Sequence, residues 1–210
     1  MGTTDTRQQP GGAEEQTAPR RRADAERNIN AILHAALGCF AEQPQASMAV
    51  IARAAGVGRV TLYAHFPSRE VLLEAVLDHA ITQAGAVIDD AAPDDGPALD
   101  ALGRVLRSSW HVLDQHRQLF ELAQRELGPV RLRQHHDAAM TRVEQLLVRG
   151  QHEGTIRTDL PTSWLVTTVY SLLHAAAEDV NTGRLQPEAA AAVLEATLFP
   201  ALRAPKRKRH

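Results

Sequence analysis

A single cysteine in 210 residues rules out an intrachain disulfide. Cys39 lies in the apolar run ILHAALGCF and reads as a buried, reduced thiol rather than a nucleophile. Aromatic residues make up only 4% of the chain and β-branched residues seldom cluster, so extended structure has little to build on. No run approaches the roughly 20 apolar residues that cross a bilayer. The opening TTDTRQQPGGAEEQTAPRRR is polar, unlike a secretion signal, and a cytoplasmic location is expected. No Gly-Lys-Ser or Gly-Lys-Thr occurs, which excludes a P-loop, and no Gly-x-Ser-x-Gly elbow is present. The ten histidines do not fall at chelating spacing: His111 and His116 are five apart, and the adjacent His135 and His136 point in different directions. The sequence thus argues for a protein that is not an enzyme, with no metal and no cofactor.

What remains is rich in Ala, Leu, Arg and Glu, with 44% apolar residues, enough for a sizeable core in an all-α fold. The net charge of −2 hides an asymmetry. Between Arg20 and Arg69 seven arginines oppose Asp24, Glu26 and Glu42, about +4, whereas Glu70 to His210 carries about −4. A polyanion would be approached by the N-terminal part alone.

Residues 1–19 are poor in apolar side chains and read as a disordered tail, and 205–210 as a short basic end. A helix is expected from Ala23, where Ile29, Ile32, Leu33, Ala36, Leu37 and Phe40 share a face, to Pro44. Ser47 caps a second short helix ending at Gly56, a third covers Arg59 to Ala64, and Pro67-Ser68 opens a fourth, REVLLEAVLDHAITQA. After the break at APDDGPALD come a helix carrying Leu99 to Leu113, a segment LFELAQREL stopped by Gly128-Pro129, and one long helix to about Glu153. Two more follow the loop GTIRTDLP, giving about nine helices in two units, 20–67 and 68–204.

The stretch GVGRVTLYAHFPSRE, Gly56 to Glu70, begins like a dinucleotide-binding glycine loop. That reading fails, because the third glycine is missing and the preceding IARAA is helical. A helix-turn-helix satisfies it better. Ala52 lets two short helices approach, Gly56 takes a positive φ in the turn, and Ile51, Val57 and Leu62 are apolar pegs. At 100° per residue Val60 and Ala64 lie opposite Leu62, with Thr61 and Tyr63 on the flanks. Arg59, Val60, Thr61, Tyr63 and Ala64, with His65 at the end, form an outer face suited to a major groove, in which Arg59 pairs with guanine and methyls pack on thymine. Tyr63, His65, Arg69 and the amides behind Ser47 offer donors to phosphate.

The run SMAVIARAAGVGRVTLYAHFPSREVLLEAV, with ILHAALGCFAEQ before it, resembles the DNA-binding domain of TetR-family transcriptional regulators over Ala23 to Val76. The resemblance implies phosphate contacts from Tyr63 and His65, Arg69 at a position where the family often has Lys, and base contacts from Arg59, Val60 and Thr61. Gly58 departs from the Ser or Thr common there, and Ala64 is smaller than usual, so base readout leans on Arg59. Arg20, Arg21 and Arg22 before the first helix are either a minor-groove arm or a solvated basic run.

In the last two helices, 161–181 and 187–202, apolar residues occupy more than one stripe, which implies a second buried face. Self-association as a homodimer through Leu165, Val169, Leu172, Leu173, Ala176, Ala189, Val193 and Ala196 is expected; the alternative is a fully interior helix pair. The resemblance implies a small-molecule effector bound in the larger unit, changing the spacing of two recognition helices on a palindromic operator. Trp110, His111, Phe120, Met140, Trp164, Tyr170 and His174 are the candidate pocket residues, for Phe120 and Met140 against an ordinary core role. The function expected is that of a repressor binding double-stranded DNA; the alternative is an all-α ligand-binding or catalytic protein whose helix-turn-helix is structural only.

Overall fold

The computed structural model describes residues 17–90 and 95–205. Within them the chain forms nine helices and no strand beyond one isolated bridge. The first unit comprises α1 (Thr17–Glu42), α2 (Met48–Ala54), α3 (Arg59–His65) and the start of α4 (Arg69–Asp90). Helix α1 begins at Thr17, earlier than the expected Ala23, because Pro19 falls in the first turn, where a missing N–H costs nothing. Arg20, Arg21 and Arg22 are therefore carried on α1 rather than ahead of it. The rest of the expected N-terminal tail, residues 1–16, and Lys206 to His210 of the basic end lie outside the described residues.

Ser47 caps α2 by accepting from the Val50 N–H at 3.4 Å, and Ser68 caps α4 by accepting from Val71 N–H at 3.2 Å. Helix α2 ends on Gly56 at φ 68°: the Val57 N–H reaches Ala52 O at 3.0 Å and the Gly56 N–H reaches Arg53 O at 3.2 Å, a closing turn that a Cβ would strain. Ile32, Ala36, Phe40, Ile51, Ala52, Leu62, Leu72 and Leu73 meet in a core that excludes water. Burying Phe40 or Leu62 contributes about 2 kcal/mol each, enough to hold two helices of seven residues that would not persist alone.

The second unit contains the remainder of α4, α5 (Ala98–Gln115), α6 (Arg117–His135), α7 (Asp137–His152), α8 (Thr162–Asn181) and α9 (Pro187–Leu202). Helix α4 packs on α1, α5 and α6, so it belongs to both units. The stop expected at Gly128-Pro129 takes the form of a break inside α6. Gly128 adopts φ 77° and ψ 169°, a conformation open almost only to glycine, because the following proline forces an extended ψ. The single long helix expected from there to Glu153 is instead divided at His136, with φ −95° and ψ 1°. Its ring bonds back to Leu132 O at 2.8 Å, occupying a carbonyl at the end of α6.

The loop after α7 is fastened to the end of α9 by an antiparallel bridge between Ile156 and Arg203. Arg157 N–H donates to Leu202 O at 2.9 Å and Ala204 N–H to Thr155 O at 3.0 Å. No helix among the described residues is long and apolar enough to cross a membrane.

Candidate nucleic-acid interface and internal cavities

Helix α3 sits on the first unit through Leu62, which is wholly buried, and turns the opposite side outward. Val60 is 86% exposed and Tyr63 49%, with Arg59 and Ala64 also exposed, while Thr61 and His65 are half-buried. An aliphatic side chain so far out of its own core contributes nothing to folding, and the whole helix carries no carboxylate to repel phosphate. Gly58 is the N-cap of α3 at φ −69°, with no side-chain bond to offer. A Cβ there would meet only Thr61 Oγ1 at 3.9 Å, so neither backbone conformation nor space requires glycine at this position. Arg53, exposed in the last turn of α2, adds a positive charge that the sequence reading did not single out.

Arg69 departs from the expected phosphate contact. Its Nε donates to Ala46 O at 3.3 Å, one terminal amino group donates to Pro44 O, and the other pairs with Glu126 of α6. The guanidinium lies 5.1 Å from the centre of the Phe40 ring. Turned inward in this way, Arg69 holds the α1–α2 loop against α4, and most of its donors are spent on the protein.

Two cavities open in the second unit. One, of about 630 Å³, lies between α4, α5, α6, α7 and α8, walled by Ile81, Val105, Leu113, Phe120, Met140, Val143 and Leu173, with His135, His136, His174, Asp78 and Arg142 as polar groups. The other, about 570 Å³ and more open, lies beside the break at Gly128, lined by Pro129, Val130, Arg133, Asp137, Tyr170 and His174. Between them stands an aromatic cluster. The His136 ring centre is 5.9 Å from Phe120, 5.5 Å from Tyr170 and 5.2 Å from His174, and Tyr170 and His174 are 4.3 Å apart. Burial, reinforced by His136, pushes the His174 imidazole down to about 4, and burial likewise lowers His136. Burial raises the Tyr170 phenol, opposed by the Arg133 guanidinium 4.9 Å over its ring.

Residues 32–76, the stretch bearing this outer face, match the family model described as bacterial regulatory proteins, tetR family. The transcriptional repressor LfrR of Mycolicibacterium smegmatis is 33% identical over 162 residues, covering 75% of this chain and 82% of LfrR. This chain belongs to the TetR family. The crystal structure of LfrR in complex with proflavine superposes with a TM-score of 0.61 at 26% identity, over 86% of this chain and 98% of that one. The regulator NfxB of Pseudomonas aeruginosa is 27% identical over 143 residues, covering 64% of this chain and 74% of NfxB.

For this TetR-family chain the larger unit is arranged differently from the sequence expectation at several positions. Phe120 and Met140 line the inner cavity, Tyr170 the outer one, and His174 both. Trp110, His111 and Trp164 line neither. Trp110 is buried and donates its Nε1–H to Pro187 O at 3.3 Å, joining α5 to α9; His111 is exposed beside Gln115; Trp164 is 59% exposed on the outside of α8. His136 is the residue the sequence reading missed. Its signal was the helix boundary itself, since the break rotates His136 inward while leaving His135 on the α4 side.

Leu165, Val169 and Ala176 are buried in the chain's own core and Leu173 lines the inner cavity, so these four are not on the outer face expected of them. Beside them runs a stripe turned further outward, with Trp164 and Ala175 exposed and Thr168 and Leu172 half-buried on α8, and Val193 (45% exposed) and Ala196 exposed on α9. Ala189 is half-buried at the start of α9. One helical position separates the two stripes, and the hydrophobic pattern of α8, apolar on both, does not distinguish them.

Helices α4 and α6 are joined by a ladder of polar contacts. Arg131 pairs with Glu70 and, at 2.5 Å, with Glu74; His135 Nδ1 meets Asp78 at 2.5 Å; Arg69 pairs with Glu126 at the top. The ladder brackets the break at Gly128.

Proposed function

We propose that this TetR-family chain is a cytoplasmic homodimeric repressor that leaves a palindromic operator when a small molecule enters its helical unit. The observation that carries the reading is the outer face of α3, where Arg59, Val60, Tyr63 and Ala64 stand in solvent on a helix without a carboxylate. Arg59 is assigned to guanine, Val60 and Thr61 to thymine methyls, and Ser47, Tyr63 and His65 to phosphate, with Gly58 and Ala64 admitting close approach. Arg69 supports that face from behind. The proflavine complex of LfrR supports a small-molecule effector for this chain.

Release follows from the way α4 is shared. A dimer docks two recognition helices about 34–36 Å apart, so a modest rotation of α4 removes the match with DNA. An effector pressing on His136 or His174 displaces α6 next to its Gly128 break, and the ladder of Arg131, His135 and Arg69 transmits that displacement to α4. Coupling of about 1–3 kcal/mol lowers operator affinity roughly 5- to 150-fold. The outward stripe of Trp164, Leu172, Val193 and Ala196 is assigned to the second copy.

The test is duplex binding by the full chain across a salt series, using the DNA upstream of its own gene and scrambled duplexes of equal length. A specific duplex should be preferred, with log affinity falling linearly against log salt. Equal binding to all duplexes would sink the reading.

A further inference from the structure

A backbone carbonyl only accepts hydrogen bonds, so the contact between His136 Nδ1 and Leu132 O at 2.8 Å places the ring proton on Nδ1. The neutral imidazole then carries its lone pair on Nε2. Among the described residues no donor meets that nitrogen. The ring stands in the wall of the 630 Å³ cavity, beside Phe120 and His174, with Ile81, Met140 and Leu173 supplying apolar surface around it. A ligand that donates to this lone pair gains a hydrogen bond that the cavity wall does not otherwise make.

We infer that the inner cavity takes an apolar, ring-bearing molecule whose N–H or O–H group donates a hydrogen bond to His136 Nε2. The inference rests on the effector reading above and names the chemistry of its ligand. Flat rings suit the site because Phe120, His136 and His174 offer faces and edges at 5–6 Å spacing rather than a smooth aliphatic wall. A carboxylate is the wrong partner: its oxygens are acceptors and meet a lone pair. Charging the ring to receive an anion is opposed by burial first, and by the neighbouring His135 and Arg133.

Three probes of one shape test this on the full chain by calorimetry at neutral pH: β-naphthol, its methyl ether, and β-naphthoate. β-Naphthol should bind roughly 3- to 10-fold more tightly than the ether, with the naphthoate weakest. His136→Phe keeps a ring in place but removes the acceptor; it should bring β-naphthol down to the ether's affinity and leave the ether unchanged. Equal affinity of β-naphthol and ether for the unaltered chain, preference for the naphthoate, or a difference that persists in His136→Phe overturns the inference. So does failure of all three to bind. The comparison of ligands on the unaltered chain needs no variant, so the test stands if His136→Phe does not fold. Duplex binding by the same preparation separates the two claims: a chain that prefers its operator but does not discriminate the probes retains the regulatory reading and loses only this one.

Discussion

Arg69, at the first residue of α4, pairs with Glu126 of α6 while its other donors hold Ala46 O and Pro44 O of the α1–α2 loop. One guanidinium therefore joins the first unit, the shared helix and the helix beside the cavities. Its flat fork serves three directions at once, which the point charge of a lysine would not.

Arg69→Ala should lower stability by about 1–3 kcal/mol, because two loop carbonyls lose their donor and Phe40 loses its cover. Its effect on DNA should be indirect: the slope of log affinity against log salt stays unchanged, whereas loss of a phosphate contact reduces that slope by about 1. Glu126→Gln is the milder companion, costing under about 1 kcal/mol in thermal unfolding. A reduced salt slope in Arg69→Ala would return this residue to the DNA face.

Val60 and Arg59 should behave as groups with no folding role. Val60→Ala is expected to change stability by less than about 0.5 kcal/mol, yet to weaken preference for the operator. Arg59→Ala should cost about 1–3 kcal/mol at one base position and relax specificity there. Binding to a panel of single-base operator variants measures both, and uniform weakening across the panel would contradict the assignment to bases.

Gly150 is occupied by its neighbour rather than by its own conformation. A Cβ at this position would lie 2.5 Å from Ile156 Cδ1 and 2.7 Å from its Cγ1. Gly150→Ala should therefore destabilise by about 1–3 kcal/mol through overpacking. Adding Ile156→Ala should recover part of the loss, and a double-mutant cycle in urea reads the coupling. Additive effects would show that the contact relaxes freely.

The buried imidazoles make stability depend on pH. His174, held at about 4, and His136, also lowered by burial, stay neutral in the folded chain where the unfolded chain's imidazoles charge near 6.5. Between those values the unfolded state binds more protons, so stability is complete above about pH 6.5 and falls as pH drops toward 4. For His174 alone the full loss is on the order of 3 kcal/mol. His174→Phe should flatten the thermal midpoint between pH 7 and 5; an unchanged slope would contradict burial of a neutral ring.

The outer stripe of α8 and α9 predicts where association can be broken. Trp164→Asp or Val193→Asp should yield monomers in sedimentation velocity and weaken operator binding, with little change in thermal stability at high dilution. A dimer that persists in both would move the interface elsewhere.

The three-helix unit was legible because each element there answers to local chemistry. Ser47 and Ser68 cap helices by contacts three residues away, Gly56 takes a left-handed turn that other residues resist, and 100° per residue alone puts Leu62 in and Val60 out. The break at Gly128 was equally local, since a proline dictates the conformation before it. In the larger unit the same rules fell short. The α8 pattern is apolar on two sides, so Val169 and Leu173 looked as suited to a partner's surface as Leu172 and Ala175 do. Trp110 and Trp164 are alike in chemistry and opposite in burial.

By itself the sequence determined an all-α chain, the helix-turn-helix and the face of α3 that meets solvent, because short-range hydrogen bonds and helical periodicity act within a few residues. Tertiary structure alone decided that Arg69 turns inward, that His136 stands between two cavities, and that α4 is tied to α6. Those outcomes depend on which donors and carbonyls meet across tens of residues, and a one-dimensional pattern carries no such distance.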